Sequence, residues 1–218
     1  MTKICQPLTA VWQDLGFRLN LKLVLYLNLV PNLAKPELIT NLKKSKLKTF
    51  ETERLILKPT TKEDATFILN LFNTPKWIEF IGDRKINNLN DAEEYIEAKI
   101  IPQIEKLGYG NYTIIRKSDD EKIGSCGLYD RDGVEGIDIG FALLPIFEKK
   151  GYAFESVNKL KEAAFNDFKL NKISGITSKK NKASQNLLMK LGLTFEKNIK
   201  LPNGTEEILL YKLTLNKK

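Results

Sequence analysis

Residues 139–155 read IGFALLPIFEKKGYAFE, and this stretch decides how the rest of the chain is interpreted. Its apolar first half, which ends at Pro145, predicts a strand. The helical spacing of Ala153 and Val157 predicts a helix that begins after Gly151. Successive backbone N–H groups at a helix start, with the positive end of the helix dipole behind them, form a concave site that suits a pyrophosphate. The stretch therefore predicts a phosphate-binding turn between a strand and a helix.

The elements on both sides of this turn predict a mixed sheet with helices packed on it. Before the turn, the pattern predicts a strand at 53–58, two helices, a hairpin of 112–116 and 122–129, and a strand at about 135–143. The second helix is expected to begin after Asn90 or Asp91, to bend near Pro102 and to end at Gly108. After the turn come a helix at 151–168, a strand at 173–177, a helix at 181–191, and strands at about 195–201 and 208–215.

Histidine is absent from the 218 residues, and its absence excludes several catalytic classes. Neither Ser-His-Asp and Cys-His nucleophile systems nor histidine-ligated zinc sites can be formed. Cys5 and Cys126 form no CxxC pair, so the sequence predicts no disulfide framework and no cysteine-rich metal site. This cysteine usage is typical of the reducing cytoplasm. We expect Cys126 to be a small buried residue in a strand, with a free catalytic thiol as the alternative.

Most of the net charge of +8 lies ahead of the predicted sheet. Residues 1–48 hold eight basic and two acidic side chains, which accounts for six of the eight excess charges. Because the remaining residues are nearly balanced, we expect no nucleic-acid binding by the main domain. The apolar stretch within 1–48 is interrupted by Lys and Asn and is shorter than the roughly 20 residues of a membrane-spanning helix. The sequence therefore predicts no stable membrane insertion.

We divide the chain into a basic N-terminal extension, residues 1–48, and a main domain, residues 49–218. Apolar alternation over 19–30 formally indicates a strand in the extension. Its basic end, 41–48, indicates a solvated linker or a frayed helix, with attachment to anionic lipid or nucleic acid as the functional alternative. A third interpretation is that the assigned start lies too far upstream, with Leu47 as the natural candidate for the true start.

The run 139–155, together with the order of the predicted elements, resembles the GNAT superfamily of N-acetyltransferases, particularly its ribosomal-protein N-terminal (alanine/serine) acetyltransferase branch. The resemblance covers roughly residues 50–216 and begins at Thr52-Glu53-Arg54-Leu55, which is similar to the opening of that branch. It implies an α/β fold (α+β by some schemes), with a GNAT-like mixed, mostly antiparallel central sheet of about seven strands flanked by about four helices. It also implies acetyl-CoA as the acyl donor and no need for a metal.

A second block, residues 181–193, is similar to the later cofactor motif of the family. The resemblance implies that Asn181 and Ser184 face the pantetheine arm or the thiol of CoA. The alternative makes them a helix N-cap and a first-turn residue that need no ligand. The strand that ends at 143 is expected to splay from 173–177, so that its main chain can hydrogen-bond pantetheine. The cofactor-binding residues implied in this way are Phe141, Ala142, Leu143, Glu148, Lys149, Lys150, Gly151, Tyr152, Ala153, Asn181 and Ser184.

Two positions depart from the family pattern. Glu148 stands where Gln or Arg is usual, and it puts an unfavourable carboxylate near the expected phosphates. Leu188 stands where many relatives carry a tyrosine general acid, so the resemblance leaves Ser184 as the substitute, with water or the thiolate itself as alternatives. These departures motivate a second function, a non-catalytic acyl-CoA-binding regulatory module.

The resemblance makes Asp138 the candidate general base, because many relatives carry Glu at this place before the Ile-Gly-aromatic run. The alternative is a solvent-facing strand residue. The expected reaction transfers an acetyl group to a primary amine, on a protein N-terminus or a small molecule, by direct attack on the thioester, in a monomer or homodimer. Residues that could line the acceptor pocket, with packing or surface turns as the alternative, are Trp77, Tyr129, Asp130 and Arg131.

Overall fold

The computed structural model describes residues 47–202, 204 and 206–215. The predicted N-terminal extension lies outside the described residues except for Leu47 and Lys48, so its boundary stays a prediction. Within the described part, no helix is both long enough and apolar enough to cross a bilayer.

One eight-stranded sheet organises the described chain, in the order β1-β2-β3-β4-β5-β6-β8-β7. Its strands are β1 Phe50–Glu51, β2 Leu55–Pro59, β3 Asn111–Arg116, β4 Glu121–Asp130, β5 Ile137–Leu143, β6 Lys172–Ser178, β7 Thr194–Lys200 and β8 Glu207–Thr214. Neighbouring strands are antiparallel except β5 and β6, which are parallel. The predicted mixed, mostly antiparallel α/β fold is confirmed. The added strand, β1, has two residues, too few for the alternation that reveals a strand in sequence.

Five helices accompany this sheet in the described part. They are α1 Ala65–Phe72, α2 Pro75–Phe80, α3 (the successive segments Leu89–Tyr95, Ile96–Ile100 and Ile101–Leu107), α4 Tyr152–Asn166 and α5 Lys182–Lys190. The middle segment of α3 is a π-helical turn just before Pro102, which lacks a backbone N–H, and this is where a bend was expected. Gly108 ends α3 in the left-handed conformation, with φ of 78°. Helix α2 is an additional helix, because the sequence pattern predicted two helices between the first strand and the hairpin and the structure has three.

Two hydrophobic clusters hold the helices in place. The first joins Leu57 of β2 to Leu160 of α4 and Leu188 of α5, and the second contains Ile68 of α1 and Ile96 of α3. These five side chains are at most 1% exposed, and complete burial of one such side chain contributes about 1.5–3 kcal/mol. Helices α1 to α3 thus pack around a cluster of their own, while α4 and α5 pack against the sheet.

Candidate functional site

A cleft of about 1460 Å³ lies where β5 and β6 meet the ends of α4 and α5, with α2 and α3 contributing further lining. We call it the central cleft. It brings together most of the residues that the sequence singled out. Of the predicted catalytic and cofactor-binding residues, those that line it are Asp138, Phe141, Ala142, Leu143, Glu148, Lys149, Gly151, Ala153, Asn181 and Ser184.

The floor of the central cleft is a gap between two strands. Pairing of β5 with β6 is limited to Ile137 with Ile173 and Asp138 with Ser174, after which the strands separate. The predicted splay is therefore confirmed. On its other side β5 stays paired with β4 as far as Leu143. Alternate backbone groups of 139–143 thus face the gap, where an amide-bearing ligand can hydrogen-bond to them.

The turn after β5 has an unusual backbone. Lys149 has φ of 59° and Gly151, the N-cap of α4, has φ of 85°. The left-handed conformation costs a non-glycine residue about 1–2 kcal/mol, so the surrounding structure has to hold Lys149 in place. Left-handed residues that alternate with others let successive N–H groups converge on one side, which is the geometry of an anion-binding concavity. The phosphate-binding turn stays a prediction, with which these two left-handed positions are consistent.

Glu148, the carboxylate that departs from the family pattern, is paired with a cation. Its Oε2 accepts a hydrogen bond from Nζ of Lys76 on α2, and both residues line the central cleft. The side chain of Glu148 is 26% exposed and that of Lys76 is 57% exposed. Water therefore weakens the attraction between the two charges. The ion pair nevertheless offsets the negative charge that the sequence placed beside the expected phosphates.

Two predicted cofactor residues, Lys150 and Tyr152, direct their side chains elsewhere. The ammonium of Lys150 lies 5.6 Å from the centre of the Phe147 ring. Tyr152 is 9% exposed, and the guanidinium of Arg54 lies 4.5 Å from its ring centre. Neither residue lines the central cleft, so we expect their backbone N–H groups to be their main contribution to anion binding. Sequence reasoning gave Arg54 no role, although it lies in the Thr52-to-Leu55 segment that resembles the family.

Asp138 is buried at the point where β5 and β6 separate. It is 2% exposed, its Oδ2 accepts from Nε of Arg131 at 2.9 Å, and its Oδ1 accepts from the N–H of Ile176 at 3.2 Å. Burial raises the pKa of Asp138, while the charge and hydrogen bond of Arg131 oppose that rise. The interpretation of Asp138 as a solvent-facing strand residue is wrong, because the side chain is buried and both of its carboxylate oxygens accept hydrogen bonds, from Arg131 and Ile176.

The start of α5 carries the second predicted block. Asn181 accepts a hydrogen bond from the N–H of Ser184 at 3.0 Å, so it is a helix N-cap, and both residues also line the central cleft. Leu188, one turn further along, is 1% exposed. A Cβ atom on Gly175 of β6 would lie 2.5 Å from Leu188 Cδ2, so Leu188 fills the space above that glycine. Leu188 is a buried core residue that also lines the central cleft.

Tyr129 lies flat on the sheet beside Asp138. Ideal Cβ positions on Gly127 and Gly140, which face each other across β4 and β5, would come within 2.3 Å and 3.0 Å of its ring. Its hydroxyl donates to Asn111 Oδ1 at 2.5 Å. Burial raises the pKa of Tyr129, so its phenol is neutral at physiological pH. Trp77, Asp130 and Arg131, the other suggested acceptor residues, line the same cleft.

Some polar residues of the cleft escaped sequence reasoning. Asn111 is 4% exposed and accepts hydrogen bonds from Ser125 and Tyr129, and Gln103 of α3 donates to the carbonyl of Leu128 at 2.8 Å. No periodic or motif signal marks these residues. Cys126 is fully buried, as expected, and burial raises the pKa of its thiol. Among the described residues, no group of three or more Cys, Asp or Glu side chains is arranged to hold a metal ion.

Comparisons with known proteins agree with this geometry. Residues 54–194 match the acetyltransferase (GNAT) domain family. The chain is similar to the uncharacterized N-acetyltransferase p20 of Bacillus licheniformis, with 31% identity over 69% of this chain and 84% of p20. The fold is similar to that of the ribosomal-protein-S5-alanine acetyltransferase of Vibrio fischeri (TM-score 0.65, 18% identity, 77% of this chain and 96% of that one).

It is also similar to RimL, a ribosomal L7/L12 alpha-N-protein acetyltransferase in complex with coenzyme A (TM-score 0.66, 15% identity, 77% of this chain and 98% of that one). The likeness to these two structures, both under 25% identical, concerns the fold. The match over 54–194 and the similarity to p20 carry the assignment further: the chain belongs to the GNAT acetyltransferase family and is an acyltransferase.

Proposed function

We propose that this protein transfers an acetyl group from acetyl-CoA to a primary amine, on a protein N-terminus or a small molecule, by direct attack on the thioester. The observation that carries the proposal is that two different binding features open into one cleft. A turn suited to a pyrophosphate and a strand gap suited to an amide-bearing arm open into the same space. Coenzyme A has both of these chemical groups, one after the other.

Acetyl-CoA supplies an acyl group already activated as a thioester. In the proposed complex, the backbone groups of Phe141 and Leu143 that face the gap hydrogen-bond the arm, whereas the backbone of Ala142 faces Ser125 of β4. The turn from Lys149 to Ala153 holds the phosphates with its N–H groups and the positive end of α4. Asn181 and Ser184 lie at the start of α5, the other wall of the gap.

Asp138 accepts the proton that the amine must lose, either directly or through water. The carboxylate is buried at the vertex of the gap, and Arg131 favours its ionised form. A new C–N bond forms as the C–S bond breaks, and the departing sulfur takes a proton from Ser184 or from water. Both residues line the central cleft, which supports these roles. No metal is part of the mechanism.

The acceptor is proposed to approach from the side of the cleft lined by Trp77, Tyr129 and Arg131. Structural similarity to acetyltransferases of ribosomal proteins S5 and L7/L12 supports a protein N-terminus as the first class to test. A small primary amine is the second class.

The test is to incubate the protein with acetyl-CoA and a panel of N-terminal peptides and small amines, while following CoA thiol release and product mass. Cys126 is fully buried, so it will contribute little to a thiol-reagent signal. We expect release that depends on one acceptor class. Binding of acetyl-CoA without acceptor-dependent release across the panel would instead favour a non-catalytic acyl-CoA-binding regulatory module.

A further inference from the structure

Arg54 contacts the phosphate-binding turn but does not line the central cleft; it lines a neighbouring pocket together with Gly151 and Glu155. We propose that it is a positioning residue that aims a backbone N–H of the turn at the pyrophosphate of acetyl-CoA. This inference rests on the cofactor site of the proposed function, but not on the identity of the acceptor.

Glu155, in the first turn of α4, holds the guanidinium in one orientation. Its Oε2 accepts from Arg54 Nε at 2.7 Å and lies 2.6 Å from a terminal guanidinium nitrogen of Arg54. Its Oε1 accepts from the backbone N–H of Arg54 at 2.9 Å and from the hydroxyl of Thr52 at 2.6 Å. Burial works to raise the pKa of Glu155, but the hydrogen bonds from Thr52 and Arg54 outweigh it and the pKa is lowered.

The guanidinium contacts three consecutive residues of the turn. Arg54 donates to the carbonyl oxygen of Lys150 at 3.2 Å and lies over the ring of Tyr152. The third contact is with Gly151, on which an added Cβ would come 3.3 Å from the Arg54 guanidinium. Gly151 suits this place because its φ of 85° is unfavourable for other residues, and a side chain there would also crowd Arg54.

The contact with Lys150 fixes the direction of a donor. The carbonyl of Lys150 and the N–H of Gly151 belong to one peptide unit, and the described chain contains no cis peptide bond. In a trans unit these two groups point in opposite directions. Because the carbonyl of Lys150 points to Arg54, which does not line the central cleft, the N–H of Gly151 points away from Arg54, and Gly151 itself lines the central cleft.

A simple surface ion pair would not explain this arrangement. Lysine could still pair with Glu155, but it lacks the planar fork that also reaches the carbonyl of Lys150 and stacks on Tyr152. The function of Arg54 therefore depends on the geometry of the guanidinium as well as on its charge.

The test compares Arg54→Gln and Arg54→Lys with Lys62→Gln, a control that removes an exposed cation paired with Glu93 and Glu97. Calorimetric titration with CoA gives the affinity without any acceptor. We expect both Arg54 variants to bind CoA about tenfold or more weakly, the order expected for the loss of one charge-assisted hydrogen bond. Lys62→Gln should bind as the unsubstituted protein does.

A second measurement separates positioning from a general loss of structure. With S-acetylpantetheine, which lacks the pyrophosphate, kcat/KM should be the same in Arg54→Gln as in the unsubstituted protein, whereas KM for acetyl-CoA should rise with little change in kcat. Unchanged CoA affinity in Arg54→Gln, or equal losses with both donors, would overturn the inference. If no acceptor is found, the proposed function fails, and the CoA titration still decides the role of Arg54.

Discussion

Replacement of Gly127 by alanine should displace Tyr129 from the sheet. A methyl group at position 127 would stand 2.3 Å from Cζ of Tyr129 and 2.4 Å from its hydroxyl oxygen, so one of the groups has to move. The ring is held in place because its hydroxyl donates to Asn111 at 2.5 Å. Gly140, on the opposite strand, lies under the other side of the ring.

The structure allows the size of this effect to be worked out. Overpacking of a core site costs about 1–3 kcal/mol, and loss of the hydrogen bond from Tyr129 to Asn111 costs about 0.5–1.5 kcal/mol. Replacing glycine stabilises by about 0.4–1 kcal/mol through the entropy of the unfolded chain. We therefore expect Gly127→Ala to lower the free energy of unfolding by about 2 kcal/mol in a urea titration followed by circular dichroism.

A double-mutant cycle identifies the cause. In a Tyr129→Ala background the methyl group at 127 no longer meets a ring, although the carbonyl oxygen of Gly110 remains 2.9 Å away. We expect Gly127→Ala to cost about 1–2 kcal/mol less in that background. Gly140→Ala, whose Cβ would lie 3.0 Å from the ring, should cost less than Gly127→Ala. If the effects of Gly127→Ala and Tyr129→Ala on the free energy of unfolding add to within about 0.5 kcal/mol, the argument is refuted.

Three further predictions concern the central cleft. Asp138→Asn and Ser184→Ala should each lower kcat by more than they raise KM for acetyl-CoA, and unchanged turnover in both would refute their assigned roles. Arg131→Gln removes the charge that opposes the raised pKa of Asp138, so the base stays protonated up to higher pH. The acidic limb of the kcat/KM profile should then move to higher pH, whereas Arg131→Lys should move it less. Lys76→Gln leaves Glu148 unpaired and should weaken CoA binding about two- to fivefold, by the usual magnitude of an exposed ion pair. The double variant with Glu148→Gln should regain that affinity, and a calorimetric titration that shows no recovery would contradict this explanation.

Local patterns in the sequence were enough to predict the order of strands and helices around the turn. Apolar alternation along β5, helical spacing along α4 and the glycine between them are short-range signals, and both elements lie close to their predicted bounds. Helix α2 was missed because six residues give too few repeats of the helical period. The pair Thr74-Pro75 at its start is a helix signal that could have revealed it.

Pairs of residues far apart in the chain explain most of what the sequence could not reveal about the cleft. Lys76 and Glu148 are 72 positions apart, and Arg54 is 96 positions from the carbonyl of Lys150. The burial of Asp138 depends on β6 lying parallel to β5, which is a property of strand order rather than of residues 135–143. Periodicity within one element carries no information about such partners.

The two departures from the family pattern have different consequences once their surroundings are known. Glu148 is offset by Lys76, so the turn keeps its suitability for anions. Leu188 is a buried core residue above Gly175. Its side chain has no proton to donate, so the tyrosine general acid is not replaced at this position. Ser184 lies four positions earlier on α5 and therefore on the same face, about 6 Å closer to the start of the helix. There the positive end of the helix dipole also stabilises a thiolate. In the proposed mechanism the leaving sulfur consequently depends less on a strong general acid than it would beside a tyrosine at position 188.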